Sequence, residues 1–135
     1  MRAQVSWQQE LRFSAETENG HCIEMDGNQG ASAPSPMEMV LMAAGGCSSV
    51  DVVSILKKAR QKVVDVKVAI EGERIDAVPA VFRAIHLHFT IVGTDISEKH
   101  AERAVNLSAE KYCSVAIMLA ASVDITHSFE VVLPS

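Results

Sequence analysis

A chain of 135 residues can bury one core without disulfide staples or a structural metal, so a single domain spanning residues 1–135 is expected. With 12 Lys plus Arg against 17 Asp plus Glu, the formal charge of −5 offers no electrostatic footprint for nucleic acid or for an anionic membrane surface. The expected partners are small molecules and other protein chains.

The opening residues Met1 to Glu10 hold no continuous apolar segment of signal-peptide length. No stretch reads as the roughly 20 apolar residues that cross a bilayer, so a cytoplasmic protein without a membrane partner is expected. Three cysteines in a reducing compartment leave transient redox pairing or plain packing as their uses. There is no CxxC and no Cys/His cluster, and no bound metal or cofactor is expected.

Strand patterning predicts β-strands at Ala3–Trp7, Leu11–Thr17 and His21–Met25, with Asn19-Gly20 as a hairpin turn. The N-terminal third thus reads as a small antiparallel sheet. Residues 26–36 form a loop by composition, ending with Ser35 as an N-cap and Pro36 as the first helical residue. A long helix is expected from Met37 to about Arg60. Its run Met39-Val40-Leu41-Met42-Ala43-Ala44 is apolar on every face, the pattern of a helix covered on most sides. Gly45-Gly46 costs about 1 kcal/mol per residue of helix propensity relative to alanine. The pair is expected to permit a bend or a close approach by another backbone, beside Cys47.

Val63 to Glu73 alternates Val64, Val66, Val68 and Ile70 with Asp65, Lys67, Ala69 and Glu71. Val81 to Val92 does the same with Ile85, Leu87, Phe89 and Ile91 inward, so two longer strands are joined by the short connection Arg74–Ala80. A helix capped by Ser97 follows, then a second capped by Ser108, with Tyr112 to Ala121 again apolar. Val123 to Leu133 closes the chain as a strand. No repeat, low-complexity tract or linker is present.

Cys47 and Cys113 fall in different predicted helices, among small or apolar residues where Leu or Ala would pack equally well. Each thiol is therefore either an inert core filler or a reactive group. Cys113 lies within about two turns of the N-cap expected at Ser108, where helix amides lower a thiol pKa, and Lys111 adds to that effect. Cys22, in a short strand, reads as structural. His86 and His88 share one strand face, as a zinc or copper pair would, but no third ligand is visible and a solvated face is the favoured reading. Met37, Met39 and Met42 read as adaptable core or pocket lining.

Pro34-Ser35-Pro36-Met37-Glu38-Met39, leading to Gly46-Cys47, with Lys111-Tyr112-Cys113-Ser114-Val115 in a later helix, resembles the OsmC/Ohr superfamily, and most of all its YhfA-like branch. The likeness runs over nearly the whole chain. It implies an α+β fold, an intertwined homodimer in which two central helices lie against curved antiparallel sheets, with active sites at the subunit boundary. The best-known members of the family reduce organic hydroperoxides. The resemblance implies that Cys47 is the peroxidatic thiol and Cys113 the resolving one. An external dithiol, such as a lipoyl protein, would reduce the resulting disulfide, and no bound cofactor or metal takes part.

The chain departs from the peroxidase pattern in three places. The position after the proline, a catalytic-site glutamate in the hydroperoxide reductases, is Met37, and the acid follows one residue later as Glu38. That offset turns a helical side chain by about 100°. Along one unbroken helix Glu38 and Cys47 are separated by about 13.5 Å of rise, so the two would meet only through a kink or a partner subunit. The thiolate-binding arginine of the family has Arg12 as its nearest counterpart, and Glu38 and Arg12 each also read as ordinary surface charges. Ser114 stands where peroxidatic members commonly have proline. Two functions follow: a thiol-dependent peroxidase acting through Cys47 and Cys113, or a small-molecule-binding or stress-associated dimer that keeps the fold and the cysteines without the chemistry.

Overall fold

Six strands and three helices make up the protein, in a computed structural model that describes residues 1–135. The chain is organised in two compact units, Met1–Val40 and Leu41–Ser135.

In the first unit, β1 (Ala3–Gln9), β2 (Arg12–Thr17) and β3 (Cys22–Asp26) form an antiparallel sheet in the order β1-β2-β3. Gly20 has φ +86°, the left-handed conformation that lets the chain reverse between β2 and β3. Pairing of Val5 with Ala15, Trp7 with Phe13, and Ala15 with Ile23 puts the apolar side chains on one face. The other face carries Arg12, Ser14, Glu16, Glu24 and Asp26. After β3 the chain is tied by Asp26, whose carboxylate accepts hydrogen bonds from the Asn28 amide (2.8 Å), the Ser32 amide (3.0 Å) and the Ser32 hydroxyl (2.6 Å). These bonds, the Ser32 hydroxyl first, hold the Asp26 pKa below its ordinary value.

Helix α1 (Pro36–Lys58) starts where the sequence predicts, on a reciprocal capping box. The Glu38 amide donates to Ser35 Oγ (3.2 Å), and the Ser35 amide donates to Glu38 Oε1 (2.9 Å), which lowers the Glu38 pKa. α1 runs on as one continuous helix through Gly45-Gly46. The expected close approach does occur, and its partner is side chains: a Cβ on Gly45 would lie 2.5 Å from Ile70 Cδ1 and 3.2 Å from Val68 Cγ1. Gly46 faces open space. Continuity of α1 also corrects the expectation that no segment has the length and apolarity to cross a bilayer. Over 18 residues its mean hydropathy is 1.8, with 28% of that window buried.

In the second unit, β4 (Val63–Arg74), β5 (Phe82–Gly93) and β6 (Asp124–Val132) form a sheet in the order β4-β5-β6. The β4–β5 pair is antiparallel and the β5–β6 pair is parallel, so this sheet is mixed. Helices α2 (Glu98–Leu107) and α3 (Ser114–Leu119) lie in the connection between β5 and β6. Such crossovers are what join parallel neighbours. Ile85, Leu87, Phe89 and Ile91 of β5 are buried, as alternation predicts. They form one core with Val52 and Leu56 of α1 and Ala101, Ala104 and Val105 of α2. Val64 departs from the pattern: the register shifts between Val63 and Asp65, and Val64 is left exposed.

Two outcomes follow from these contacts. Gly45→Val forces branched carbons into Ile70 and Val68 and is expected to lower stability by about 1–3 kcal/mol in urea or thermal unfolding. Depressed carboxylate pKa values contribute stability above the ordinary values of 3.8 (Asp26) and 4.5 (Glu38), and that contribution disappears as pH falls through the lower folded-state values. The melting temperature is therefore expected to fall on acidification below about pH 4.5, and Asp26→Asn is expected to lower it at neutral pH while flattening the acid dependence.

Candidate functional site

Two turns of helix in the second unit, one in α1 and one at the start of α3, place Cys47 and Cys113 next to each other. α1 buries a stripe of Ala44, Gly45, Ser48, Val52 and Leu56 at helical spacing. Cys47 sits on the edge of that stripe and is half-buried. Cys113 is fully buried, with 0% of its surface exposed.

The backbone that carries Cys113 differs from the expected helix capped by Ser108. Ser108 ends α2, and Ser108–Tyr112 forms one π-helical turn closed by the Cys113 amide donating to the Ser108 carbonyl (2.8 Å). Cys113 then adopts an extended backbone (φ −74°, ψ 99°) and is itself the N-cap of α3. The extra residue of the π turn ends α2 and swings the Cys113 side chain toward α1. Single π turns of this kind recur at functional sites.

Cys113 Sγ accepts a hydrogen bond from Ser48 Oγ at 3.1 Å and one from the Ala116 amide at 3.4 Å. Burial pushes the Cys113 pKa up; the Ser48 hydroxyl and the Ala116 amide oppose that rise, and the neighbouring Cys47 thiol adds to it. At neutral pH Cys113 is thus a protonated thiol held beside Cys47. Behind the pair, Ser108 Oγ donates to Asp51 Oδ2 (3.1 Å) and to the Ser48 carbonyl (3.3 Å), fixing the π turn against α1. Every buried side-chain polar atom has a hydrogen-bond partner.

The sequence reading missed Ser48 and Asp51, and took Ser108 as a helix N-cap rather than as the tie between the π turn and α1. Their signal was available: Ser48 is a hydroxyl inside an apolar helical run, and such a group needs a partner when buried. The remaining predicted residues have local partners. The Glu38 carboxylate is engaged by Ser35, and Arg12 lies on the polar face of the first sheet, 3.5 Å from Glu24 Oε2. Cys22 is exposed on β3. His86 bonds Thr126 Oγ1 (2.7 Å) and Ser128 Oγ (2.8 Å), and His88 bonds Ser128 Oγ (2.7 Å), so the two rings are tied into the β5–β6 surface.

The same pairing of elements is found in known proteins. The profile of the family described as OsmC-like protein matches residues 27–128. Protein YhfA of Escherichia coli strain K12 is 58% identical over 132 residues, covering 98% of both chains. A solved structure of a hypothetical protein from Aquifex aeolicus is 36% identical with a TM-score of 0.89, covering 99% of this chain and 97% of that one. The organic hydroperoxide resistance protein OhrB of Bacillus subtilis, at 14% identity, shares the fold with a TM-score of 0.66 over 96% of this chain and 98% of its own. The profile match spans most of the chain and the identity to YhfA runs nearly end to end, so this chain belongs to the OsmC-like family.

Proposed function

We propose that this protein is a thiol-dependent peroxidase that reduces organic hydroperoxides with Cys47 as the attacking sulfur and Cys113 as the resolving one. The observation that carries this reading is the neighbouring pair itself: a half-buried Cys47 against a fully buried Cys113 that holds a hydrogen bond from Ser48. The more accessible sulfur meets the oxidant. The Cys47 thiolate attacks one peroxide oxygen, the O–O bond breaks, and the alcohol leaves after taking up a proton, with Cys47 oxidised to the sulfenic acid. Cys113 then attacks the Cys47 sulfur, its thiol proton and the sulfenic hydroxyl leave together as water, and a disulfide forms. An external dithiol, for which a lipoyl protein is one source, returns both sulfurs to thiols by exchange and is itself oxidised to a disulfide. A reducing cytoplasm suits such a cycle.

Ser48 serves this cycle in two ways. In the resting state its hydroxyl orients the Cys113 sulfur. As the proton leaves Cys113, the same donor and the Ala116 amide stabilise the developing thiolate. The resolving step is thus assisted without a charged residue in contact with Cys113.

The working form we infer is a homodimer. One face of the first sheet leaves Val5, Trp7 and Ile23 exposed, with Trp7 at 68%. On α1, Met42 and Val50 are also exposed. Unpartnered apolar surface on this scale marks an interaction face. A second copy would cover it symmetrically.

A second reading draws on Glu38. Its carboxylate is committed to the capping box, which suits a ligand-binding dimer that keeps the fold without turning over peroxide.

Intact mass and peptide mapping after one equivalent of cumene hydroperoxide decide between the two. The peroxidase is expected to lose two hydrogens within seconds to minutes as a Cys47–Cys113 disulfide, and Cys113→Ser to trap a sulfenic acid on Cys47. An unchanged mass favours the binding reading. Alkylation at neutral pH is expected to label Cys47 before Cys113, with Cys113 reacting only as pH rises above the ordinary thiol range. Sedimentation is expected to show a dimer at micromolar concentration and Val50→Asp to shift it toward monomer; a wild-type monomer would overturn the dimer.

A further inference from the structure

α1 and α2 run antiparallel in the second unit, pinned at both ends. At one end Ser108 donates to Asp51, and at the other the Ser97 amide donates to the Gln61 side chain at 2.8 Å. Between these pins lies a cavity of about 720 Å³ that neither Cys47 nor Cys113 lines. Its volume is that of a small-molecule site. Asp51, Ile55 and Lys58 present one face of α1 to it, and His100, Arg103 and Leu107 one face of α2.

The lining is graded along its length. Lys58, His100 and Arg103 stand toward the Gln61–Ser97 end, whereas Ile55 and Leu107 lie nearer Asp51. Asp51, whose carboxylate accepts from Ser108, marks the far end. Lys58, Arg103 and the His100 ring take part in no ion pair and no side-chain hydrogen bond. In a chain of net charge −5, this groups the Lys58 and Arg103 cations with the His100 ring at one end of a groove that also carries Ile55 and Leu107.

We infer that this groove is a binding site for a small amphipathic carboxylate, its anionic head held by Lys58 and Arg103 with His100, and its hydrocarbon tail laid along Ile55 and Leu107. Guanidinium and ammonium donors suit a carboxylate through charge-assisted hydrogen bonds. The apolar floor contributes through the area it removes from water.

Isothermal titration of the full chain with octanoate, octan-1-ol and inorganic phosphate tests the site. Octanoate is expected to bind saturably at one per chain, with octan-1-ol and phosphate each about tenfold weaker or worse, because each lacks one half of the match. Lys58→Gln/Arg103→Gln is expected to weaken octanoate by about tenfold, and both side chains are exposed, so the fold is not at stake. Leu107→Ser checks the apolar half by a separate route and is expected to weaken octanoate more than phosphate. Cys47→Ser is expected to bind as the wild type does, which separates this site from the thiol pair. Absence of saturation, equal binding of octan-1-ol or phosphate, an unaffected double variant, or loss of binding in Cys47→Ser would each overturn the inference.

Discussion

Residue 45 carries no side chain, and Val68 and Ile70 of the second sheet come within van der Waals reach of the α1 backbone there. This close packing sets the height of α1 over β4 and β5, and with it the position of each residue on the next turns. Ser48, Val52 and Leu56 follow at four-residue steps and are buried. The Cys113 sulfur accepts a hydrogen bond from Ser48, so the site inherits its geometry from a packing contact one turn away. A methylene inserted at position 45 would move the thiol pair as well as the core.

The π turn at Ser108–Tyr112 is the second determinant. A regular helix continued past Leu107 would carry Cys113 onward along α2. The π turn instead ends that helix and makes Cys113 the N-cap of α3, where its sulfur meets the Ser48 hydroxyl and the Ala116 amide. Ser108 holds the turn in place by bonding Asp51 and the Ser48 carbonyl. Two serines and one aspartate, each hydrogen-bonded, thereby anchor the buried sulfur to α1 in an otherwise apolar setting.

Burial and polarity act against each other at Cys113. Desolvation favours the thiol, while two donors favour the thiolate, and burial prevails. In the proposed cycle a resolving sulfur would gain from this balance. Burial keeps the thiol protonated and shields it from solvent oxidants, and the Ser48 hydroxyl and Ala116 amide would stabilise the thiolate left when its proton departs. The groove between α1 and α2 shares α1 with the thiol pair, whose second sulfur sits at the start of α3.

Most of the secondary structure was legible because it rests on local periodicity. Alternation in β4 and β5, the Asn19-Gly20 turn and the Ser35-Pro36 helix start are all short-range patterns, and the structure has each of them. The motif around Cys47 and Cys113 likewise sufficed to identify the family. What the tertiary structure alone decided is where non-local partners act. The parallel pairing of β6 depends on where the crossover helices lay it down. The continuity of α1 through two glycines depends on the sheet packed against one of them. Ser48 as the partner of Cys113 depends on a contact across 65 residues of sequence, and no local pattern encodes such a contact. The sequence determined which residues could form helices, strands and a thiol pair; only the packing of α1 on the second sheet, with the π turn that follows α2, decided which of them touch.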